Sequence, residues 1–327
     1  MLFDAHAHLP ADDPAGLEVL SEFDLKVLNI SIGLDARGDW RKKPPFPADR
    51  YRDLGQRHPE RFRWCTSFDL PRFDDPGYVE RVIEQLDQDF SAGAIACKVW
   101  KNIGMEARTP EGDFVMVDHP ILEPIFRHLE KLDRVLILHI GEPRACWEPL
   151  NESSPHYEYY RDNPEWHMHS RPDFPSHQAL VDARDRVVAR HPKLRMIGAH
   201  LGSLEYDVAE IAKRLDSFPN FAVDTAARMG DLALKEPPRV RDFFTKYEDR
   251  VLWGSDLIAE TPLSELPKER RQPALDRIRA GYQTELDYYT SDVELTVARR
   301  SVKGISLSEA IQRKLFEANA RRWFGQT

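Results

Sequence analysis

Cysteine is scarce in this sequence. Cys65, Cys97 and Cys146 are the three cysteines among 327 residues, and their spacing shows no pairing. We therefore expect no disulfide framework, and free thiols are typical of a reducing compartment. Cys65 and Cys97 fall inside predicted strands, where cysteine usually serves as a small buried hydrophobic residue. This position disfavours a catalytic cysteine.

Long apolar segments and an excess of basic charge are also lacking. No apolar run approaches the roughly 18 residues that a membrane-spanning helix needs. The amino terminus shows neither the basic nor the apolar region of a secretion signal. The formal net charge is −9 and the isoelectric point is about 5.8, so no basic field is available to neutralise phosphates. The sequence therefore predicts a cytoplasmic protein without a membrane or nucleic-acid partner.

Two common catalytic signatures are missing as well. No glycine-rich turn follows an early predicted strand, which disfavours a dinucleotide-binding fold. No G-x-S-x-G elbow occurs, which disfavours a serine hydrolase of the α/β type. The sequence thus indicates no organic cofactor and no nucleophilic serine.

What the sequence does contain is a series of short, β-branched apolar runs. They cover residues 2–8, 25–33, 61–69, 94–100, 135–140, 194–200, 221–226 and 251–256. Near-continuous apolar runs of this length are typical of strands buried on both faces of a parallel sheet. Helical patterns lie between them, for example at 75–90, 119–133, 176–192 and 204–218. Eight alternations of strand and helix predict an α/β fold, a (β/α)8 TIM barrel, with a doubly wound open sheet as the alternative.

Two segments extend this plan. A charged stretch with prolines at 259–273 precedes helical patterns at 274–300 and 306–324, which predict the eighth helix and a carboxy-terminal helical addition to a single domain over 1–327. The longest strand-free stretch, 141–176 after the fifth strand, is rich in Trp, Tyr and His. Such long loops are usually functional lids or disordered, and the aromatic content favours an ordered lid.

The first predicted strand ends in a histidine pair. His6 and His8 are two residues apart, so they project to the same face of a strand, and Asp4 is expected to project with them. One such pair is weak evidence, because histidines at this spacing also occur by chance.

Other strand ends carry similar chemistry. His139 ends the fifth strand, His200 the sixth and Asp256 the eighth, while Lys98 and Asp224 lie near the ends of the fourth and seventh. Since the carboxyl ends of barrel strands meet at one mouth, these side chains predict a metal site.

Imidazole and carboxylate ligands suit a divalent metal. Zinc is favoured, and manganese and iron are the alternatives. A metal with one open position would lower the pKa of a bound water. Asp256 is then predicted to bind the metal and accept the proton of that water, and His200 to polarise the reacting carbonyl or shuttle a proton.

Together these motifs resemble the amidohydrolase superfamily. The matching segments are DAHAH, LH, GAHLG and WGSD on strands one, five, six and eight, and the closing EANARRWFG resembles the carboxy-terminal helix of its "amidohydrolase 2" branch. The resemblance implies a distorted TIM barrel with a metal at its mouth. It also implies that His6, His8, His139 and Asp256 are the metal ligands, and that His200 is a catalytic acid or base or a second-metal ligand.

The resemblance leaves the substrate and the role of Lys98 open. Some members of the superfamily have a carboxylated lysine bridging two metals at this position, whereas a single metal is more usual in this branch. With one metal, Lys98 would anchor the substrate or support a ligand. A carboxylated substrate would need cations near the metal, and the candidates are Lys98, Lys101, Arg144, Arg171 and Arg228. Trp100, Trp147 and Trp166 could line the pocket, although packing in the core or the lid is the more usual role of such residues.

Among these candidates, Lys98, Arg171 and Trp100 are the predicted substrate-binding residues. The predicted function is metal-dependent hydrolysis of a C–O or C–N bond in a small, carboxylated molecule. The alternatives are a non-oxidative decarboxylase of a carboxylated aromatic or unsaturated acid and a non-catalytic metal-binding protein. The predicted partner is the small-molecule substrate, and a homo-oligomer is compatible with the resemblance.

Overall fold

The fold is a barrel of parallel strands surrounded by helices. The computed structural model describes residues 1–11, 13–33, 48–259, 261–297 and 299–325. Eight strands of this described chain follow one another in a single sheet in sequence order, with parallel pairing throughout. They are β1 Leu2–Ala7, β2 Leu25–Ile30, β3 Phe62–Ser67, β4 Ala94–Val99, β5 Val135–Leu138, β6 Met196–Gly198, β7 Phe221–Asp224 and β8 Val251–Leu252. Every predicted strand is therefore present, and the predicted TIM barrel is confirmed.

The ends of the sheet meet between β8 and β1. The amide of Ala5 donates to the carbonyl of Trp253 at 2.9 Å, and His8 forms a parallel bridge with Ile258. These contacts bring the residues that follow β8 beside the histidine pair of β1.

A helix follows each strand. The longer ones are Pro14–Glu22, Ala48–Arg57, Tyr78–Ser91, Glu123–Lys131, His177–Arg190, Val208–Ser217, Pro237–Lys246 and Lys268–Thr290. Shorter helical segments are Asn102–Met105, Pro120–Leu122, Arg144–Trp147, Tyr157–Asp162, Pro164–Trp166, Ala199–Gly202, Met229–Ala233 and Leu263–Glu265. Ser176 caps one long helix as its position suggests, because its Oγ accepts from the amide of Ala179 at 3.1 Å. No helix among the described residues is both long enough and apolar enough to cross a membrane.

Apolar side chains fill two layers. One layer lies between the strands and the helices, and the other fills the barrel interior, where Leu28, Ile137 and Leu252 are fully buried. The carboxy-terminal helix Asn319–Phe324 closes the amino-terminal end of the barrel, where Phe324 packs on Phe3 with ring centroids 6.0 Å apart. The predicted helix at 306–324 is thus present as Glu309–Arg313, Lys314–Ala318 and Asn319–Phe324.

The prediction for 274–300 is wrong in its second half. The helix begins earlier, at Lys268, and ends at Thr290, and two antiparallel strands, β9 Glu294–Val297 and β10 Arg300–Lys303, follow. Apolar residues alternate with polar ones from Val293 to Val297, which is the period of a strand rather than of a helix. Position 298, which also falls in the predicted helix, lies outside the described residues.

The long segment after β5 is folded into short helices. It contains Arg144–Trp147, Tyr157–Asp162 and Pro164–Trp166, which lie over one side of the barrel mouth. The expectation of local order in 141–176 is confirmed.

Candidate metal centre

Five strand ends bring histidines and carboxylates to one place. His6 and His8 belong to β1 and its extension, His139 follows β5, His200 follows β6, Asp224 ends β7 and Asp256 follows β8. All of them are at the carboxy-terminal mouth of the barrel, where the active sites of this fold are built.

His6 is held from behind by a carboxylate. Its Nδ1 lies 2.8 Å from Oδ2 of Asp224, and both side chains are about 1% exposed. Because a carboxylate only accepts, the proton resides on Nδ1 and the lone pair of Nε2 points toward the mouth. Nε2 of His6 lies 3.2 Å from Nζ of Lys98 and 3.7 Å from Oδ1 of Asp256. A carboxylate behind a histidine in this way is the usual support of a metal ligand.

His8 and Asp256 complete a tight cluster with His6. Nε2 of His8 is 3.4 Å from Oδ1 of Asp256, and one ligand atom from each of the three residues lies within 4.8 Å of the others. Burial lowers the pKa of His8, which keeps its ring neutral. Burial opposes ionisation of Asp256, but the hydrogen bond from His8 holds the pKa of Asp256 well below its usual range.

The backbone that presents Asp256 is strained and anchored. Asp256 has a φ of +56°, and its amide donates to the carbonyl of His6 at 2.7 Å. The preceding Ser255 donates to Asp4 through its amide at 3.0 Å and its hydroxyl at 2.5 Å, and Tyr282 donates to the same carboxylate at 3.0 Å. Strand alternation predicts that Asp4 projects into the mouth with the histidines. The prediction is wrong, because the Asp4 carboxylate binds Ser255 and Tyr282 instead. It stabilises the turn after β8.

His200 lies in a left-handed turn. The φ angles of His200, Leu201 and Ser203 are all +57°, a conformation that costs roughly 1–2 kcal/mol for each non-glycine residue. Oδ1 of Asp224 accepts from the His200 amide at 2.7 Å, and Nδ1 of His200 donates to the carbonyl of Ala226 at 2.9 Å. Asp224 thus supports both His6 and His200.

Two buried side chains hold the other end of this turn. Arg184, fully buried, donates to the carbonyl of Gly202, and Nε2 of His177 donates to the carbonyl of Ser203 at 2.7 Å. They offset the strain that presents His200 to the mouth.

His139 lies beside His200 rather than inside the tight cluster. The two ring centroids are 4.3 Å apart, and the His139 amide donates to the carbonyl of Val99 at 3.0 Å. Burial holds the pKa of His139 and that of His200 well below the ordinary value, so both rings are neutral. Neutral imidazoles and an ionised carboxylate are the protonation states that bind a divalent metal. The residues present therefore fit such an ion, and the role of His139 as a fourth ligand stays a prediction.

A cavity of about 460 Å³ opens above the cluster. Its described walls include the five residues His6, His8, His139, His200 and Asp256, the cations Lys98, Lys101 and Arg228, the aromatic residues Trp100, Tyr159 and Tyr160, and also Ile32, Glu142, Pro143, His156, Ala227 and Ile258. Its volume is in the range typical of small-molecule sites. The predicted residues Lys98 and Trp100 thus lie at the cavity.

The structure does not bring Arg171 to this cavity. Its guanidinium donates to the carbonyl of Glu165 at 2.7 Å and stacks at 4.0 Å on the ring of Phe174, on the outer side of the long segment. The prediction failed because a cation within a long segment can turn either inward or outward, and local partners decide which.

A buried ion pair in the wall escaped the sequence analysis. Lys101 pairs with Glu142, Tyr160 donates to the same carboxylate at 2.9 Å, and the Lys101 ammonium lies 3.8 Å from the ring centroid of Trp166. Burial lowers the pKa of Lys101 to about 7. The available signal was the position of Glu142, three residues beyond His139 at the end of β5.

Comparison with known proteins identifies a family for the chain. The family model for amidohydrolase 2, described as amidohydrolase, matches residues 3–326. No curated protein sequence matches the chain.

Several solved structures share the fold. An uncharacterised TIM-barrel protein from Bordetella bronchiseptica has 15% identity and a TM-score of 0.55, over 99% of this chain and 98% of that one. The 2,6-dihydroxybenzoate decarboxylase from Rhizobium has 19% identity and a TM-score of 0.55, over 96% and 88%. A dihydroxybenzoic acid decarboxylase from Polaromonas sp. JS666, solved with manganese and 2-nitroresorcinol, has 14% identity and a TM-score of 0.54, over 96% and 86%.

These structures establish similarity of fold, and the family match extends over nearly the whole chain. The chain belongs to the amidohydrolase family, a family of enzymes that typically depend on a divalent metal.

Proposed function

We propose that this enzyme is a metal-dependent hydrolase of a C–O or C–N bond in a small carboxylated molecule. The observation that carries the proposal is the cluster of His6, His8 and Asp256, with His200 beside it, at the floor of a cavity whose wall holds a buried arginine. A reducing, cytoplasmic setting, as the few cysteines suggest, is part of the proposal.

His6, His8 and Asp256 would hold the metal, with His139 as the fourth predicted ligand. Zinc is favoured by the ligand types, with manganese and iron as alternatives. When bound, such an ion polarises a carbonyl and lowers the pKa of a water.

Asp256 and His200 would carry the proton. Asp256 is ionised and has lone pairs that would accept a proton from an attacking water, and its Oδ2 lies 4.0 Å from Nδ1 of His200. His200 donates through Nδ1 to Ala226, which leaves its second ring nitrogen unprotonated and able to pass a proton onward.

Arg228 would bind the substrate carboxylate. Its side chain is 7% exposed, it lines the cavity, and its Nε has no hydrogen-bond acceptor among the described residues. Lys101 is neutralised by Glu142, whereas Lys98 adds a second cation near the metal ligands. A planar guanidinium pairs well with a carboxylate and would place the adjoining bond near the cluster.

Non-oxidative decarboxylation of a carboxylated aromatic acid is the second candidate. Trp100, Tyr159 and Tyr160 give one side of the cavity an aromatic wall, which suits a planar ring. Two of the decarboxylases with a similar fold act on dihydroxybenzoates by name.

The test is a parallel activity screen of protein loaded with zinc, manganese or iron. Lactones, esters and amides with a carboxylate would be compared with hydroxybenzoic acids, by titration of released acid and by CO₂ release. Arg228→Gln should raise KM for carboxylated substrates about 100-fold and leave KM for uncharged analogues unchanged.

Each outcome separates the candidates. Acid release without CO₂ supports the hydrolase, and CO₂ release from the aromatic acids supports the decarboxylase. A protein that binds metal but turns over neither set would be the non-catalytic alternative.

A further inference from the structure

A second cavity lies at the opposite end of the barrel. Its volume is about 370 Å³, and it is lined by Gly55, Gln56, Pro59, Phe62, Arg63, Trp64, Phe90, Ala92, Gly93, Ala94, Ile95, Arg134 and Phe324. These residues come from the starts of β3, β4 and β5, the turns that lead into them and the carboxy-terminal helix. The catalytic mouth is at the other ends of the same strands, so this cavity is independent of the proposed function.

Part of the wall is apolar. Phe62, Phe90 and Phe324 are at most 8% exposed and line the cavity from three different elements. Ile95 and Pro59 extend the same surface. A ligand with an apolar body could bury its surface here.

The cavity also contains hydrogen-bond donors that lack acceptors. Trp64 is 1% exposed, and its Nε1 has no hydrogen-bond partner among the described residues. Two glycines that line the cavity lie beside the indole and keep side chains away from its edge: a Cβ on Gly93 would lie 3.9 Å from Nε1, and one on Gly55 would lie 3.5 Å from Cδ1. A buried N–H without an acceptor costs about 1–3 kcal/mol, so a ligand that accepts from it would be favoured.

Two guanidinium groups add positive charge. Nε of Arg134 is buried without a hydrogen-bond partner in the described chain, and the guanidinium carbon lies 5.0 Å from the ring centroid of Phe90. Arg63 donates to the carbonyls of Pro59 and Phe62 but has no ion pair within the described residues. No carboxylate is among the described residues lining the cavity, so the charge of its lining is positive, although Glu60 near Arg63 offsets part of it.

We propose that this cavity binds a small organic anion, with its carboxylate or phosphate on Arg134 and the Trp64 N–H and its apolar body against the three phenylalanines. The combination decides the class: charge alone would suit an inorganic anion, and the apolar wall alone would suit a neutral ligand. Arg134 forms charge-assisted hydrogen bonds to the anion, and Arg63 adds long-range attraction.

The experiment is calorimetric titration of the full, metal-loaded chain with phenyl phosphate and, separately, with inorganic phosphate. Arg134→Gln and Trp64→Phe test the site, and the second retains an aromatic ring while removing only the N–H. Arg127→Gln, which alters an exposed arginine on a nearby helix, is the matched control. Arg228→Gln removes the arginine of the catalytic cavity.

Phenyl phosphate is expected to bind wild type, Arg127→Gln and Arg228→Gln alike, and to bind Arg134→Gln at least about tenfold more weakly. Trp64→Phe should also weaken binding of phenyl phosphate, and it provides the test if Arg134→Gln fails to fold. Inorganic phosphate should bind at least about tenfold more weakly than phenyl phosphate.

Three results would overturn the proposal. One is unchanged affinity in the folded Arg134→Gln and Trp64→Phe variants, and another is loss of all binding in Arg228→Gln. The third is equal affinity for the two phosphates, which would remove the apolar half of the site.

Discussion

Replacing Asp224 by asparagine should weaken metal binding at the proposed site without unfolding the barrel. The carboxylate accepts hydrogen bonds at both oxygens, from Nδ1 of His6 at 2.8 Å and from the amide of His200 at 2.7 Å. Asparagine has the same shape but only one accepting atom, and its NH₂ group donates. In either orientation of the side-chain amide, its NH₂ group therefore faces a hydrogen-bond donor, either Nδ1 of His6 or the amide of His200.

The two orientations have different costs. If the NH₂ group faces the His200 amide, a buried N–H is left unpaired, at about 1–3 kcal/mol. If it faces His6, the ring must accept at Nδ1, and its proton moves to Nε2, the atom that points toward Asp256 and Lys98. The lone pair for the metal is then lost. Removing such a supporting carboxylate typically weakens metal affinity 10–100-fold, and we expect a loss of about this size.

The measurement is metal content by plasma mass spectrometry and metal affinity by competition with a chelator. Asp216→Asn is the matched control, because Asp216 is an exposed aspartate that pairs with Lys246 far from the mouth. Circular dichroism would establish that both variants are folded. Wild-type metal affinity in a folded Asp224→Asn protein would refute the reasoning, since it would mean that the tautomer of His6 does not depend on Asp224.

Three further predictions follow from buried polar groups. Lys101→Met should destabilise the fold by about 3–5 kcal/mol in urea unfolding, because Glu142 would be left buried without its cation. Lys101→Met combined with Glu142→Gln should recover most of that loss. A double variant as unstable as the single one would contradict this reasoning. Burial raises the pKa of Glu285 from 4.5 to about 8, so its contribution to stability is complete below pH 4.5 and is lost as the pH rises through 8. Glu285→Gln should therefore gain in Tm relative to wild type between pH 5 and pH 9, and a constant difference would be the contrary result. Asp4→Ala should cost about 3 kcal/mol of unfolding free energy by leaving the donors of Ser255 and Tyr282 unpaired, and a loss below about 1 kcal/mol would show that water replaces the carboxylate.

The barrel was predictable because its strands are buried on both faces. Runs such as VLIL at 135–138 leave no polar alternation, and eight of them at regular spacing suit a closed parallel sheet. The geometry of that sheet then places all carboxyl strand ends at one mouth, which is why His6, His8, His200 and Asp256 could be grouped before any distance was known.

Predictions are wrong where the local pattern is ambiguous. The helix predicted for 274–300 ends at Thr290, and residues 293–297 alternate with a period of two and form a strand. The prediction that Arg171 binds the substrate depends only on its being a cation in the long segment, and its partners there are the carbonyl of Glu165 and the ring of Phe174.

Contacts between distant parts of the chain were beyond the reach of the sequence. Asp4 and Ser255 are 251 residues apart, and Lys101 and Glu142 are 41 apart, so no periodicity relates them. The amino-terminal cavity depends on two glycines, an indole edge and an arginine that share no motif.

The amino-acid sequence by itself determined the strand order, the barrel and the histidines and Asp256 at its mouth, because burial period and residue type are local properties. Only the tertiary structure decided that Asp224 supports both His6 and His200 and that Asp4 anchors the turn of Asp256. It also decided that Arg228 is left without an ion pair among the described residues. The physical reason is that hydrogen-bond partners and protonation states depend on distances of a few ångströms between side chains, and those distances exist only after the barrel has closed.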